Sequence, residues 1–281
     1  KARKTIPSRS SVFNAFLRYG LHTTSMKHGF SLVELSIVLV ILGLLTGGIL
    51  TGQSLIRAAE MRSVATEVQR YQTAVRSFQD KYFAIPGDMA NATSFWGTMS
   101  NCGVASPSGS GTQTCNGNGD GQITEASASA RTGENFGMWQ QMANAGLIEG
   151  SYTGISGTGG TNDAEINENV PASKLSNSGW YMHYYSTVGN AYDYAFNYGN
   201  HFVFGVDEAN SATSAAAMTT EEAWNIDTKL DDGLPASGKI IARFWNNACA
   251  TPVSGAASNS NYNAKYHLTN TGAQCSFRIR N

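Results

Sequence analysis

From Phe30 to Leu50 the chain reads FSLVELSIVLVILGLLTGGIL, 21 residues in which Glu34 is the one charge. As a helix this stretch rises about 31 Å, the thickness of a bilayer's hydrocarbon core. The pattern then changes without a break. Met61, Val64, Val68, Tyr71, Val75, Phe78 and Tyr82 recur at spacings of three and four, the apolar seam of an amphipathic helix, while Arg57, Glu60, Arg62, Glu67, Arg70 and Arg76 fall off it. One helix is therefore predicted from Ser31 to Tyr82, about 78 Å long, with Pro86 and Gly87 ending it. The aromatics on the seam predict docking on a domain in preference to a freestanding coiled coil.

Residues 85–281 alternate turn-rich stretches with short periodic ones. A helix is predicted over residues 131–147 around Phe136, Trp139, Met142 and Leu147. The aromatic and β-branched tract from Trp180 to Val206, broken at Gly189 and Asn190 and at Gly199 and Asn200, predicts three antiparallel strands. Thr219 with Glu222 makes a capping box for a helix through Trp224 to Leu230. Lys239 to Trp245 and Gln274 to Ile279 complete the strands. The expected fold class is α+β: a long N-terminal helix, membrane-spanning in its first half, packed on an antiparallel β-sheet head arranged as a meander.

Charge sharpens this division. Residues 1–29 carry Lys1, Arg3, Lys4, Arg9, Arg18 and Lys27 and no carboxylate, which leaves 13 basic against 20 acidic residues beyond them. Positive charge before the apolar stretch keeps the start cytosolic and sends the rest across the membrane. A cleavable secretory signal is the competing reading, but no small-x-small site ends the apolar run. The whole chain has a net charge of −1, so no chain-wide cationic field exists to hold nucleic acid. Only 14% of the residues are charged, against a norm of roughly 25%, and glycine is plentiful at 30. Such a surface suits the cell exterior.

Glu34 carries the first candidate chemistry. A carboxylate inside an apolar span needs an opposite charge, unless it lies in the headgroup layer at a helix start, where the dipole favours an anion. The string MKHGFSLVELSIVLVILGLL, Met26 to Leu45, resembles the N-terminal signature of type IV pilins and type II secretion pseudopilins. The resemblance implies cleavage after Gly29 by a prepilin peptidase, N-methylation of the new terminus at Phe30, and pairing of Glu34 with the terminal ammonium of a neighbouring subunit. It implies a 1–29 leader, a helix over 30–84 and a periplasmic or extracellular head over 85–281. Two departures stand out. Family leaders are usually short, as one from Met26 to Gly29 would be, so residues 1–25 read as a long leader or an upstream extension. The helix also lacks the proline that many members carry, leaving Gly43, Gly47 and Gly48 as its weak points, for close packing or local melting.

Four cysteines in a translocated domain predict two disulfides, for which three pairings exist. Cys102 with Cys115 and Cys249 with Cys275 are favoured because each pair brackets a loop rich in Gly, Ser and Asn, and a C-terminal disulfide loop resembles those of many type IV pilins. A metal–thiolate site is the rival, without the usual CxxC spacing. After Cys115 comes NGNGDGQITE, where Asn116, Asn118 and Asp120 alternate, Gly121 takes the sixth place and the Gln122 carbonyl follows, the first half of an EF-hand-type calcium loop. Its twelfth position is Ser127, so Glu125 or Glu134 would have to close the site, and a plain Asn-Gly and Asp-Gly turn is the alternative. Calcium bound by some pseudopilin heads favours the ion. Asp227, Asp231 and Asp232 form a second acidic turn that could hold calcium likewise, with a helix-ending turn as the favoured reading. His183, His201 and His267 are scattered among aromatics and read as sheet residues, and no nucleophile or phosphate-loop motif occurs. The aromatic tract is expected to be a packed sheet, with a carbohydrate-binding face as its alternative.

These readings converge on a structural subunit that is no enzyme: a minor pilin or pseudopilin whose partners are the prepilin peptidase, other filament subunits and the inner membrane. A membrane-anchored adhesive or carbohydrate-binding module using pilin-type export is the other function class considered.

Overall fold

The computed structural model describes residues 29–125, 130–186, 192–243, 248–251 and 260–281. The leader before Gly29, Ser127, the turn at Gly189 and Asn190, and Trp245 lie outside these residues. The chain divides into two units, Lys1–Gly52 and Gln53–Asn281.

In chain order the helices are α1 (Leu32–Tyr82), α2 (Thr93–Trp96), α3 (Glu134–Asn144) and α4 (Thr220–Leu230). The strands are β1 (Ser178–Tyr185), β2 (Gly199–Val206), β3 (Met218–Thr219), β4 (Ile240–Ala242), β5 (Ala250–Thr251), β6 (Lys265–Tyr266), β7 (Ala273–Cys275) and β8 (Phe277–Arg280). The α+β class and the long helix are as expected. This helix ends at Tyr82, as predicted, but ahead of Pro86 and Gly87. The helix stops at Tyr82 because Phe83 takes a left-handed conformation, φ 54°, and its N–H closes the last turn on the Gln79 carbonyl at 2.8 Å, the geometry of a C-terminal cap normally given to glycine. Gly87, at φ 88°, is needed further on, where a Cβ would run into the Glu134 carbonyl.

In the first unit the described residues are the start of α1, with every side chain exposed. In the second unit the seam is buried as predicted at Val64, Val68, Tyr71, Val75 and Phe78, with Met61 and Tyr82 partly buried. Tyr71 meets Trp139 edge-on at 5.1 Å and Trp180 at 5.7 Å between ring centroids, contacts worth about 0.5–1.5 kcal/mol each beyond area burial. Trp180 packs on Phe204 at 4.7 Å, and these rings belong to the main core with α3 residues Phe136, Met138 and Met142. The aromatic tract is thus a packed sheet: Trp180 and Tyr181 have no exposed surface.

The sheet corrects the meander expectation. It has four antiparallel strands in the order β1-β2-β8-β4, so the C-terminal strand sits inside the sheet between elements far from it in sequence. The tract supplies two strands, not three: Ser178 pairs with Val206 and the register runs to Tyr185 with Gly199. Tyr192 to Tyr198 form no strand; Tyr194 and Tyr198 instead enter a second core cluster with Ile241, Ala250 and Ala264. The predicted Gln274–Ile279 strand divides into β7 and β8, which join different sheets. The predicted 131–147 helix begins only at Glu134, since Gly133 is extended at its N-cap. For α4 the capping box is present in full, with Thr219 and Glu222 bonding each other's backbone N–H.

Both expected disulfides are formed, Cys102–Cys115 and Cys249–Cys275, closing sequence separations of 13 and 26. The first binds the loop that Met99 and Thr114 join by a 2.9 Å backbone hydrogen bond. The second lies in the main core, with both cysteines fully buried.

Candidate functional site

The processing segment opens the described chain. Gly29 and Phe30 precede α1 and are exposed, Phe30 to 84%. The Ser31 hydroxyl oxygen accepts the Val33 N–H at 3.3 Å, and Glu34 Oε2 accepts the Ser31 N–H at 2.8 Å. Glu34 therefore neutralises one of the unpaired N–H groups at the start of α1, at the positive end of the helix dipole. Beyond it α1 carries an 18-residue window of mean hydropathy 2.4, none of it buried. By length and composition this helix can cross a membrane.

Residues 24–50 match the prokaryotic N-terminal methylation motif. This segment is a prepilin-type signal. No curated protein and no solved structure matches the chain. The matched segment spans Gly29, Phe30 and Glu34, and together with the apolar helix it fits membrane anchoring.

The second candidate site, the glycine-rich loop, is built differently from the calcium loop expected of it. An EF-hand-type loop turns oxygens inward on a cation; this one turns N–H groups inward on a carboxylate. The buried Asp88, just after Pro86 and Gly87, accepts from the N–H groups of Gly119 at 2.6 Å, Asp120 at 3.1 Å and Gly121 at 2.8 Å. Gly117 lies so close that a Cβ there would overlap the Asp88 backbone. This is a nest filled by the protein's own anion.

The predicted ligand set is not assembled. Asn116 Oδ1 instead accepts the Thr93 N–H at 2.8 Å, at the start of α2. Asn118 and Asp120 bond each other across the turn, and Asp120 Oδ1 also accepts the Gln122 N–H at 2.9 Å. Glu125 is drawn away to His183 Nε2 at 2.9 Å. Burial opposes its ionisation, yet the His183 hydrogen bond and charge bring the Glu125 carboxyl below its usual range. Glu134, the other closing carboxylate considered, does reach the loop. It accepts the N–H groups of Asn118 and Thr124 at 2.9 Å each. Burial pushes the Glu134 carboxyl up, and those donors only partly offset it. The residues that can hold a metal here are Asp88, Asp120 and Glu134, whose nearest oxygens lie within 4.8 Å of one another. Asp88 was missed because it stands some thirty residues upstream, where Pro-Gly-Asp reads only as a turn.

The second acidic turn behaves as expected. Asp231 is the C-cap residue of α4 and its Oδ2 accepts the Ile240 N–H at 2.9 Å, while Asp232 accepts from Leu234 and Ser237. Asp227 is fully buried, with the Tyr266 hydroxyl on Oδ2 at 2.8 Å. Burial pushes its carboxyl up to about 7, with the Asp232 charge adding to the effect and the Tyr266 bond opposing it.

Two histidines sit in the sheet, cross-strand partners at 183 and 201. His201 is fully buried; burial and the neighbouring Arg278 charge hold its imidazole well below its ordinary range. Arg278 Nη1 approaches His201 Nε2 at 2.7 Å and can only donate, so the ring proton lies on Nδ1, facing the Gly199 carbonyl at 3.0 Å. Arg278 and Arg243 both bond the buried Asp193, at 2.6 Å and 3.0 Å. His183 and His201 are sheet residues, as read from sequence, serving a buried ionic network. His267 caps a turn by accepting the Asn270 N–H on its carbonyl.

Proposed function

We propose that the protein is a filament subunit, a minor pilin or pseudopilin of a type IV pilus or type II secretion system. On this reading it is held in the inner membrane by α1, cut after Gly29 by a prepilin peptidase and assembled through that helix. The carrying observation is the prepilin-type signal at residues 24–50 followed by an apolar helix whose side chains are all exposed. Those side chains need a bilayer first and other subunits afterwards. Glu34 adds chemistry. In the uncut chain it caps its own helix through the Ser31 N–H; cutting after Gly29 creates an ammonium at Phe30, one residue earlier, and gives the same carboxylate a full positive charge to bind, in its own or a neighbouring chain.

A head as large as residues 85–281 supports a minor subunit or pseudopilin over a bulk one. The adhesive alternative rested on the aromatic tract, whose rings at Trp180, Tyr181, Tyr194, Tyr198, Phe202 and Phe204 are buried and spent on packing, with Tyr192 its one exposed ring among the described residues. Calcium binding stays a proposal within this reading, transferred to Asp88, Asp120 and Glu134. Co-expression with a prepilin peptidase is expected to give a mature chain starting at Phe30 by mass spectrometry. Glu34→Ala should still be cut, yet fail to enter filaments. A different N-terminus, or wild-type incorporation of the variant, would overturn the reading.

A further inference from the structure

Between Glu34 and Arg57 lie 22 residues of α1 without a charge, Leu35 to Ile56. At 1.5 Å per residue they rise about 33 Å, the hydrocarbon thickness of a bilayer, which sets the edge of the apolar layer at Ile56. Leu55 and Ile56 are 70% and 62% exposed. The next helical turns line a cleft of about 560 Å³ between α1 and α4. Ala58, Met61, Ala65 and Ile226 give it an apolar floor, and Arg57, Arg62 and Lys229 edge it with positive charge. Arg57 is already matched, holding Glu222 through Nε at 2.6 Å and Nη2 at 2.8 Å. Arg62 and Lys229 are exposed and, among the described residues, make no ion pair. Trp224, 39% exposed on the same α4, is the residue type that favours the membrane–water boundary.

We propose that this cleft binds the phosphate headgroup of an anionic phospholipid, with Arg62 and Lys229 on the phosphate and the first acyl methylenes on the Met61 and Ile226 floor. The inference rests on the reading that residues 35–56 cross the membrane. Three observations select a lipid over a soluble anion. Arg62, six residues past Ile56 on the same helix, stands about 9 Å beyond the hydrocarbon edge, and Lys229 lines the same cleft. The floor is apolar. The exposed Leu55 and Ile56 continue it directly into the span. Anionic lipid would hold the subunit at a fixed depth until it is extracted.

The test uses the full chain in nanodiscs of equal phosphatidylcholine and phosphatidylglycerol, with retained lipids counted by native mass spectrometry after gentle detergent release. Each basic residue near an anionic surface strengthens binding about fivefold, so the wild type should retain phosphatidylglycerol over phosphatidylcholine by roughly 30-fold. Arg62→Gln with Lys229→Gln should bring that ratio near one, each single variant losing about fivefold, with unchanged melting temperature. In 1 M salt, where screening acts within about 3 Å, the wild-type preference should collapse. A wild-type ratio near one, a double variant equal to wild type, or a preference unmoved by salt overturns the cleft. Failure to enter discs of phosphatidylcholine alone overturns the membrane-anchoring reading itself, and the cleft with it.

Discussion

Asp227 makes the stability of the head depend on pH in a direction opposite to that of most carboxylates. Its carboxyl is raised to about 7 by burial, against roughly 3.9 in an unfolded chain. Below about pH 4 it is protonated in both states and adds no pH dependence. Between about pH 4 and 7 the folded chain keeps a proton that the unfolded chain releases, so stability falls as pH rises, by up to about 1.4 kcal/mol per pH unit. Above 7 both states are ionised and the loss is complete. Three units make it about 4 kcal/mol as an upper bound, and relaxation around the buried charge lowers the figure. Asp227→Asn removes the titration while keeping one oxygen for the Tyr266 hydroxyl or the Gly233 N–H. Urea unfolding of the full chain in detergent, followed by tryptophan fluorescence at pH 5 and pH 8, separates the cases. The wild type should lose a few kcal/mol more than the variant across that interval, and the variant should equal or exceed wild type at pH 8. Parallel pH profiles of the two proteins would refute a buried, protonated Asp227.

Glu67→Ala should cost about 3 kcal/mol or more in the same assay and Glu67→Gln about half, because the alanine strands three donors, Trp180 Nε1, the Ser173 hydroxyl and the Lys174 N–H; a loss under 1 kcal/mol would dismiss the tether. Replacing Cys102 and Cys115 by serine should cost about 3 kcal/mol from loop entropy, whereas the pair at 249 and 275 should cost more than its loop-entropy share because both sulfurs are buried in the core; equal losses would count against that ranking. Calcium at ten times its dissociation constant would stabilise the head by about 1.4 kcal/mol, so a rise of a few degrees in melting temperature that Asp120→Ala or Asp88→Asn abolishes is expected; no rise at millimolar calcium leaves the loop as a nest for Asp88 alone.

Where a pattern is local and periodic, the sequence was legible. The seam of α1, the capping box of α4 and the prepilin-type signal are each written in adjacent or regularly spaced residues, and each is found in its place. Strand order was not legible: β8 inserts between β2 and β4 through contacts of high sequence separation that no window of alternation encodes. The inward face of the glycine-rich loop was not legible for a related reason. NGNGDG has the spacing of a cation loop, but the same glycine-rich backbone can present its N–H groups, and which face turns inward depends on Asp88, some thirty residues away. Glu67 falls off the seam, yet it is buried, since the residues that receive it lie beyond position 170.

Glu67 also bears on why α1 docks in one register. A seam repeating every three or four residues presents nearly the same apolar stripe after a slip of one turn, so burial alone selects weakly between registers. Charged contacts on α1 differ, because each has a single partner set. Arg57 fits the Glu222 carboxylate that caps α4, and Glu67, ten residues on, fits three donors from residues 173, 174 and 180. A slip of one turn carries both groups about 5.4 Å along the helix and leaves those donors unpaired, at about 1–3 kcal/mol for each that stays buried. The apolar seam therefore supplies affinity between α1 and the sheet, and the two charged contacts supply its position. Paired polar contacts at two separated points resist sliding where a smooth apolar stripe would not.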